Sequence, residues 1–129
     1  MINFFKINEA FFFVDLPGYG FAKVPESVSK RWQLLIEAYL HERETLRNVV
    51  LIVDSRHNPT TQDRQLKEWL DYYQRPVMIV ASKIDKLKRG QIQKHLKKIK
   101  QDLSLDKTPL VHSSLEKGRR EEIWKNLWP

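Results

Sequence analysis

Residues 11–20 run Phe11-Phe12-Phe13-Val14-Asp15-Leu16-Pro17-Gly18-Tyr19-Gly20, an apolar stretch that ends in one carboxylate and a Pro-Gly pair. The apolar part predicts a β-strand, and the Pro-Gly pair predicts a turn directly after it. Asp15 could then face a metal ion through water. The N–H of Gly18, which has no Cβ to block the approach, could contact a terminal phosphate. Asp and Gly are also common turn residues, so the motif alone fits a simple turn as well.

A second motif of this kind follows another apolar run, in which Val77-Met78-Ile79-Val80-Ala81 leads into Ser82-Lys83-Ile84-Asp85. A carboxylate at Asp85 can accept hydrogen bonds from the ring N1–H and the exocyclic amine of guanine, which adenine does not offer in that arrangement. The Lys83 stem can lie over the base and ribose. A third run ends in His112-Ser113-Ser114, where a backbone N–H can contact the guanine O6. Taken singly, each segment also fits a solvated loop.

Apolar periodicity alternates between strand and helix along the chain. It predicts strands at 3–7, 10–15, 49–54, 77–81 and 110–113, and helices at 27–43, 61–73, 90–103 and 121–128. The order β-β-α-β-α-β-α-β-α predicts one α/β domain over residues 1–129, a three-layer arrangement in which helices cover both faces of a mostly parallel sheet. The continuous apolar run at 49–54 predicts a strand buried on both faces. Ligands of such sheets bind at the carboxyl ends of the strands, where Asp15, Asp54, Asp85 and Ser113 would form a polar rim.

Composition excludes several classes of protein. The 129 residues are 41% hydrophobic, which is enough for a core. There are no cysteines, and the four histidines lie too far apart in sequence for a zinc motif. No apolar run is long enough to cross a bilayer, and the first residues lack the basic segment of a signal peptide. We therefore expect a cytoplasmic protein without a membrane partner.

Basic residues are concentrated between positions 86 and 100, a segment with seven lysines and arginines and no acidic residue. If Ile92, Leu96 and Ile99 face the core, the lysines of this predicted helix must face water. The candidate RNA-binding residues are Lys88, Arg89, Lys94, Lys97 and Lys98. The net charge of +7 also favours an acidic partner such as nucleic acid. A lysine-rich face that only keeps the chain soluble is the alternative.

These motifs, in this order, resemble those of the EngB/YihA-type bacterial GTPases, a family of translation-factor-like P-loop GTPases, over essentially the whole chain. The most specific stretches are Val14-Asp15-Leu16-Pro17-Gly18-Tyr19-Gly20-Phe21-Ala22-Lys23-Val24 and Val53-Asp54-Ser55-Arg56-His57-Asn58-Pro59, followed by Ser113-Ser114 and Lys117-Gly118. The resemblance implies GTP or GDP and Mg²⁺ as ligands, and a role in assembly of the large ribosomal subunit that is linked to cell division and septation. The large subunit or its RNA would be the partner.

The resemblance also implies roles for individual residues. Asp15, Leu16, Pro17 and Gly18 would contact the phosphate side, with Asp15 holding Mg²⁺ through water. Ser82, Lys83, Ile84 and Asp85 would recognise guanine, with help from His112, Ser113 and Ser114. Arg56 and His57 match the family only by position, and they could equally order their loop. Tyr19 stands where Ras-like GTPases have the Gln that orients water, so we assign no catalytic residue and expect slow turnover.

The phosphate-binding motif Gly-x-x-x-x-Gly-Lys-[Ser/Thr] does not occur in this sequence, whose only glycines are Gly18, Gly20, Gly90 and Gly118. By comparison with the family, the chain would begin at the second strand and lack the first strand, the phosphate loop, the first helix and the first switch. We therefore expect a fragment, a truncated gene or a partner that donates the strand. Whether the chain is an enzyme stays open, and the strands near Phe13 and Leu51 should have unpaired edges or a gap between them.

Two other functions fit the sequence. A non-hydrolysing RNA- or ribosome-binding module could have kept the GTPase scaffold and lost catalysis. An unrelated flavodoxin-like α/β domain would require both motifs to be coincidences. Dependence of RNA binding on GTP distinguishes the first of these from a GTPase, and preference for guanine over adenine nucleotides excludes the second.

Overall fold

The computed structural model describes residues 2–16, 26–115 and 119–127. Its Cα positions form two compact units, Met1–Arg43 and Glu44–Pro129, which are described separately below. Pro17 and Gly18 of the first motif lie outside the described residues. The single domain over residues 1–129 stays a prediction.

The first unit contains an antiparallel hairpin and a helix. Strands β1 (Asn3–Ile7) and β2 (Phe11–Asp15) pair so that Asn3 lies opposite Asp15. Asn8 and Glu9 form the turn with φ angles of 50° and 57°, and the N–H of Ala10 donates to the Ile7 carbonyl at 2.9 Å. Two successive positive φ angles are typical of the tight turns that match the twist of a hairpin. Helix α1 (Glu26–Glu42) follows, with Ile36 and Leu40 buried.

The second unit is built on a parallel sheet. Its elements are β3 (Val49–Asp54), α2 (Thr61–Tyr72), β4 (Val77–Ser82), a 3-10 turn (Ile84–Lys86), α3 (Arg89–Asp102), β5 (Leu110–Val111) and α4 (Arg119–Leu127). The strands run in the order β3-β4-β5, both pairs parallel. The predicted order of strands and helices and the α/β class are confirmed. The hairpin forms a sheet of its own rather than the edge of the parallel sheet.

Burial differs between the two neighbouring strands β3 and β4. In β4, the consecutive residues Ile79, Val80 and Ala81 are all buried, which shows that both faces of this strand are covered. In β3, Leu51 and Val53 are buried, but Ile52 on the opposite face is 62% exposed. The prediction that β3 is buried on both faces is therefore wrong, because an apolar run does not show whether other elements cover its second face.

Side chains of α2 and α3 contribute to the core of the second unit. Leu70 of α2, Leu96 and Ile99 of α3, and Leu103 directly after α3 are each exposed by 4% or less. Burying such a side chain contributes roughly 1.5–3 kcal/mol relative to leaving it in water. None of the helices within the described ranges has both the length and the apolar character needed to span a bilayer.

Helix α2 begins with a reciprocal cap. The Asp63 N–H donates to Thr60 Oγ1 at 3.0 Å, and the Thr60 N–H donates to Asp63 Oδ2 at 2.9 Å. This satisfies two backbone donors that the first turn of a helix would otherwise leave unpaired.

The substitution Thr60→Ala removes one half of this cap and should lower the free energy of unfolding by about 1 kcal/mol. Thr61→Ala is the matched control, since it removes the same hydroxyl one residue later, inside the helix. Urea unfolding followed by circular dichroism measures both. Equal effects of the two substitutions would contradict the capping role of Thr60.

Candidate functional site

The ends of the three parallel strands lie side by side. Asp54 of β3 pairs with Ser82 of β4, and Ala81 pairs with Val111 of β5. The Ser55 N–H extends the pairing by donating to the Ser82 carbonyl at 3.0 Å, and Ser82 Oγ donates back to the Val53 carbonyl at 3.2 Å. Asp54, Asp85 and Ser113, three members of the predicted rim, thus belong to the second unit, whereas the fourth, Asp15, belongs to the first.

The segment after β4 has a fixed backbone. Lys83 adopts a left-handed conformation with φ 59° and ψ 34°, and the 3-10 turn begins directly after it. The Ile84 N–H donates to the His112 carbonyl at 3.2 Å, and the His112 N–H donates to the Ala81 carbonyl at 2.9 Å. With the Ile84 side chain 2% exposed, this residue anchors the turn in the core. A non-glycine residue in the left-handed region is uncommon and needs such support.

Ser113 fixes the orientation of the Asp85 carboxylate. The buried Ser113 Oγ donates to Asp85 Oδ1 at 2.8 Å and accepts a hydrogen bond from the Leu115 N–H at 3.1 Å. Because the hydroxyl is held from both sides, it in turn holds the carboxylate in one position. The carboxylate retains acceptor capacity for a ligand with neighbouring donors, since each of its oxygens has more than one lone pair. Ser114, the next residue, is exposed.

The sequence motif did not predict this contact. The segment His112-Ser113-Ser114 predicted ligand contacts of backbone N–H groups, whereas the structure adds a role for the Ser113 side chain. The signal available was that β4 and β5 were both predicted strands of one parallel sheet, so the residues just beyond their carboxyl ends had to be neighbours.

Among the described residues, the carboxyl group of Asp54 has the pKa that is shifted furthest from its usual value. Arg56 donates from Nε to Oδ1 at 3.0 Å and from a terminal guanidinium nitrogen to Oδ2 at 2.8 Å, while the Arg56 N–H also donates to Oδ1 at 3.0 Å. Lys83 Nζ lies 3.5 Å from Oδ2. The side-chain hydrogen bonds from Arg56, and then the charges of Arg56 and Lys83, hold the pKa of Asp54 well below its usual range despite partial burial. Asp54 in turn raises the pKa of Arg56.

Arg56 therefore orders its loop, one of the two alternatives that the sequence left open. The backbone N–H of His57 donates to the Asp54 carbonyl at 3.3 Å, and the His57 side chain is exposed. The loop is also tied to helix α3, because His95 Nδ1 lies 2.9 Å from the Ser55 carbonyl oxygen. Ser55 itself is completely buried.

The phosphate side of the predicted site lies in the first unit. Asp15 is exposed at the end of β2, and Leu16 after it is partly buried. Asp15 has the carboxylate oxygens that Mg²⁺ prefers, so it fits a single contact through water. Within residues 2–16, 26–115 and 119–127, no group of three or more His, Asp or Glu side chains could hold a metal ion.

Helix α3 presents a basic surface. Lys94, Lys97 and Lys98 are exposed, as predicted. Of the three residues predicted to face the core, Leu96 and Ile99 are buried and Ile92 is partly buried. Lys98 Nζ lies 3.2 Å from Asp102 Oδ1, so one of these three charges is partly neutralised. Lys88 is the N-cap residue of the helix but makes no capping hydrogen bond with its side chain, and Arg89 is the first helical residue. Both side chains are exposed.

The family model described as "50S ribosome-binding GTPase" matches residues 1–83. A protein of Desulforamulus reducens named "Probable GTP-binding protein EngB" is 52% identical over 124 residues, which cover 95% of this chain and 60% of that protein. The chain belongs to the EngB family of GTP-binding proteins. A second EngB relative, from Syntrophus aciditrophicus, is 46% identical over 98% of this chain and 65% of its own length.

The fold agrees with the EngB family. A solved structure titled "Crystal structure of a probable GTP-binding protein engB" superposes with a TM-score of 0.86, covers 99% of this chain and 81% of the other, and shares 18% sequence identity. This similarity supports the α/β fold. The chain spans 60% to 65% of the length of the two EngB relatives.

The Asp54 pair predicts a pH dependence of stability. Because the folded state holds the pKa of Asp54 below the value of about 3.9 expected in an unfolded chain, the ionised carboxylate stabilises the fold above that pH. The contribution should be lost as the pH falls below about 4, when unfolding takes up a proton.

Urea unfolding between pH 2.5 and 7 tests this. The difference in unfolding free energy between the unsubstituted chain and Asp54→Asn should be present at pH 6 and shrink steadily below about pH 4. Asp106→Asn, which removes an exposed carboxylate from the loop between α3 and β5, is the control. A difference that does not change with pH would show that Asp54 is not held as an ion.

Proposed function

We propose that this chain binds guanine nucleotides, GTP and GDP with Mg²⁺, as a cytoplasmic protein that acts in assembly of the large ribosomal subunit and is linked to cell division and septation. Membership of the EngB family supports the nucleotide. The description of the family model, "50S ribosome-binding GTPase", supports the large subunit or its RNA as the partner.

The observation that carries the proposal is the oriented Asp85 carboxylate. Guanine offers two neighbouring donors, the N1–H and the exocyclic amine, and a carboxylate can accept from both. Ser113 holds Asp85 through the 2.8 Å hydrogen bond and is itself buried, so this acceptor is arranged before a ligand arrives. An acceptor fixed in advance loses less conformational entropy on binding than a mobile one.

Other residues of the second unit complete the base site. The Lys83 stem would lie over base and ribose, Ser82 holds its strand to β3 through the Val53 carbonyl, and Ile84 anchors the turn. Backbone N–H groups of Ser113 and Ser114 would be available to the guanine O6, whereas the His112 N–H already donates to the Ala81 carbonyl and His112 would help only by holding the segment in place. On the phosphate side, Asp15 would hold Mg²⁺ through water. Leu16, Pro17 and Gly18 would contact the phosphate groups, with the Gly18 N–H at the γ-phosphate.

We assign no catalytic residue. Tyr19 has no group that orients water as a glutamine does, and the sequence contains no Gly-x-x-x-x-Gly-Lys-[Ser/Thr] motif. The proposal is therefore tested first on recognition of the base. Calorimetric titration with GDP, GTP and ATP in magnesium should show heat for the guanine nucleotides only. Equal binding of ATP and GTP, or no guanine binding, would contradict the proposal.

The substitution Asp85→Asn should change which base is bound. An amide keeps one acceptor but replaces the second with a donor, which suits the 2-oxo group of xanthine and leaves the guanine amine unpaired. We expect affinity for GDP to fall by roughly 10- to 100-fold, with xanthosine diphosphate bound more tightly than GDP. Calorimetry with both nucleotides measures this. Asp106→Asn, which makes the same chemical change at an exposed position in the loop between α3 and β5, should leave the preference for GDP unchanged.

A second candidate function rests on the exposed lysines of α3. An RNA- or ribosome-binding module that keeps the scaffold without hydrolysis would use Lys94, Lys97 and Lys98, together with Lys88 and Arg89, on phosphate groups. Contacts of this kind tolerate many sequences and weaken as salt rises.

Replacing Lys94 and Lys97 with Gln should lower affinity for structured RNA and reduce the slope of log K against log salt by about 1 to 2. Fluorescence anisotropy at several salt concentrations, with and without GDP, gives both values. Lys107→Gln, in the loop after α3, is the matched single-charge control. An unchanged slope in the double variant would show that this face does not bind RNA, and a dependence of affinity on GDP would favour the nucleotide-regulated function.

A further inference from the structure

Lys83 has a fixed backbone but a long side chain with many rotamers. The left-handed conformation and the hydrogen bonds around it set the direction in which the side chain leaves the backbone. The backbone conformation restricts mainly the first side-chain torsion and leaves the outer ones open, and more than half of the side chain is exposed. A lysine that must lie over a base therefore needs a partner to hold its ammonium group.

Asp54 is that partner. Its Oδ2 lies 3.5 Å from Lys83 Nζ, across the β3–β4 register that pairs Asp54 with Ser82. This ion pair is longer than the 2.8 Å contact that Arg56 makes with the same oxygen. The lysine is attracted to Asp54 but makes no close hydrogen bond to it.

Arg56 keeps Asp54 in place. The guanidinium contacts both carboxylate oxygens, and the backbone N–H of Arg56 adds a third hydrogen bond. The planar fork of an arginine suits this two-point contact, which a lysine cannot reproduce. Arg56 also lies in the field of Asp85, since the charge of that carboxylate contributes to the raised pKa of Arg56. Its positive charge therefore acts on both carboxylates of the site.

We infer that Asp54, held by Arg56, is a positioning residue that keeps the Lys83 side chain over the base-binding site. This role rests on the proposed guanine site and adds to it a pair of residues that do not touch the nucleotide. It also gives Arg56 a function beyond ordering its own loop. The guanidinium of Arg56 holds the Asp54 carboxylate, and that carboxylate holds the Lys83 side chain.

A double-mutant cycle tests the role. In the 129-residue chain, Asp54→Asn should weaken binding of GDP with magnesium about tenfold, as expected for losing one charged contact. Arg56→Gln should act in the same direction. In a Lys83→Met background, however, Asp54→Asn should have little further effect, because the side chain that Asp54 positions is gone. Asp71→Asn, which breaks the Lys67–Asp71 ion pair of α2, is the control and should leave GDP affinity unchanged.

If Asp54→Asn weakens GDP binding equally with Lys83 and with Met at position 83, Asp54 acts only by ordering its loop, and the inference is overturned. No effect of Asp54→Asn in either background overturns it as well. If Asp54→Asn does not fold, the effect of Arg56→Gln on GDP affinity is compared in the same two backgrounds, and the same outcomes support or overturn the inference.

A second measurement separates this inference from the proposed function. Without nucleotide, the two ε-proton resonances of Lys83 should be distinct in the unsubstituted chain and merge in Asp54→Asn, because a held lysine has inequivalent ε-protons. If GDP does not bind at all, the proposed guanine site is contradicted, but merging of the Lys83 resonances in Asp54→Asn still shows that Asp54 holds Lys83. If the Lys83 resonances are the same in both proteins, the positioning role fails even where GDP binds.

Discussion

The candidate site depends on the register of three parallel strands. Pairing of Asp54 with Ser82 and of Ala81 with Val111 brings the segments after β3, β4 and β5 to one edge of the sheet. Backbone hydrogen bonds continue beyond the strands, from Ser55 to Ser82 and from Ile84 to His112. In a strand the side chains alternate between faces, so a shift by one residue would turn each of these groups to the opposite face. The ion pair of Asp54 and the hydrogen bond of Asp85 both require this register.

The two carboxylates at this edge are held differently, and the difference suits different tasks. Asp54 accepts three hydrogen bonds from Arg56 and is committed to the protein. Asp85 accepts one hydrogen bond, from a neutral hydroxyl, and lies 4.0 Å from the Lys86 ammonium. A carboxylate that already accepts three hydrogen bonds has less acceptor capacity left for a ligand than one that is oriented by a single serine hydroxyl. Of the two, Asp85 is the one suited to bind a base, and Asp54 is the one suited to hold its surroundings in place.

Much of the fold could be predicted from the sequence. The order of strands and helices followed from apolar periodicity. The contacts within the site were less accessible. Ser113 and Asp85 are separated by 28 residues, and only the pairing of β4 with β5 makes them neighbours. The exposure of Ile52 could not be foreseen either, because an apolar residue in a strand does not reveal which elements cover it.

Strand β3 has a further consequence for how the protein behaves in solution. Within the described residues it pairs on one side only, with β4, and of its six residues Asp54 alone is charged. Natural sheets usually protect such an edge with lysine, proline or a bulge. Here the only charge stands at the end of the strand and is neutralised by Arg56. We expect this edge to favour association at high concentration and the chain's net charge of +7 to keep copies apart, an effect that added salt weakens.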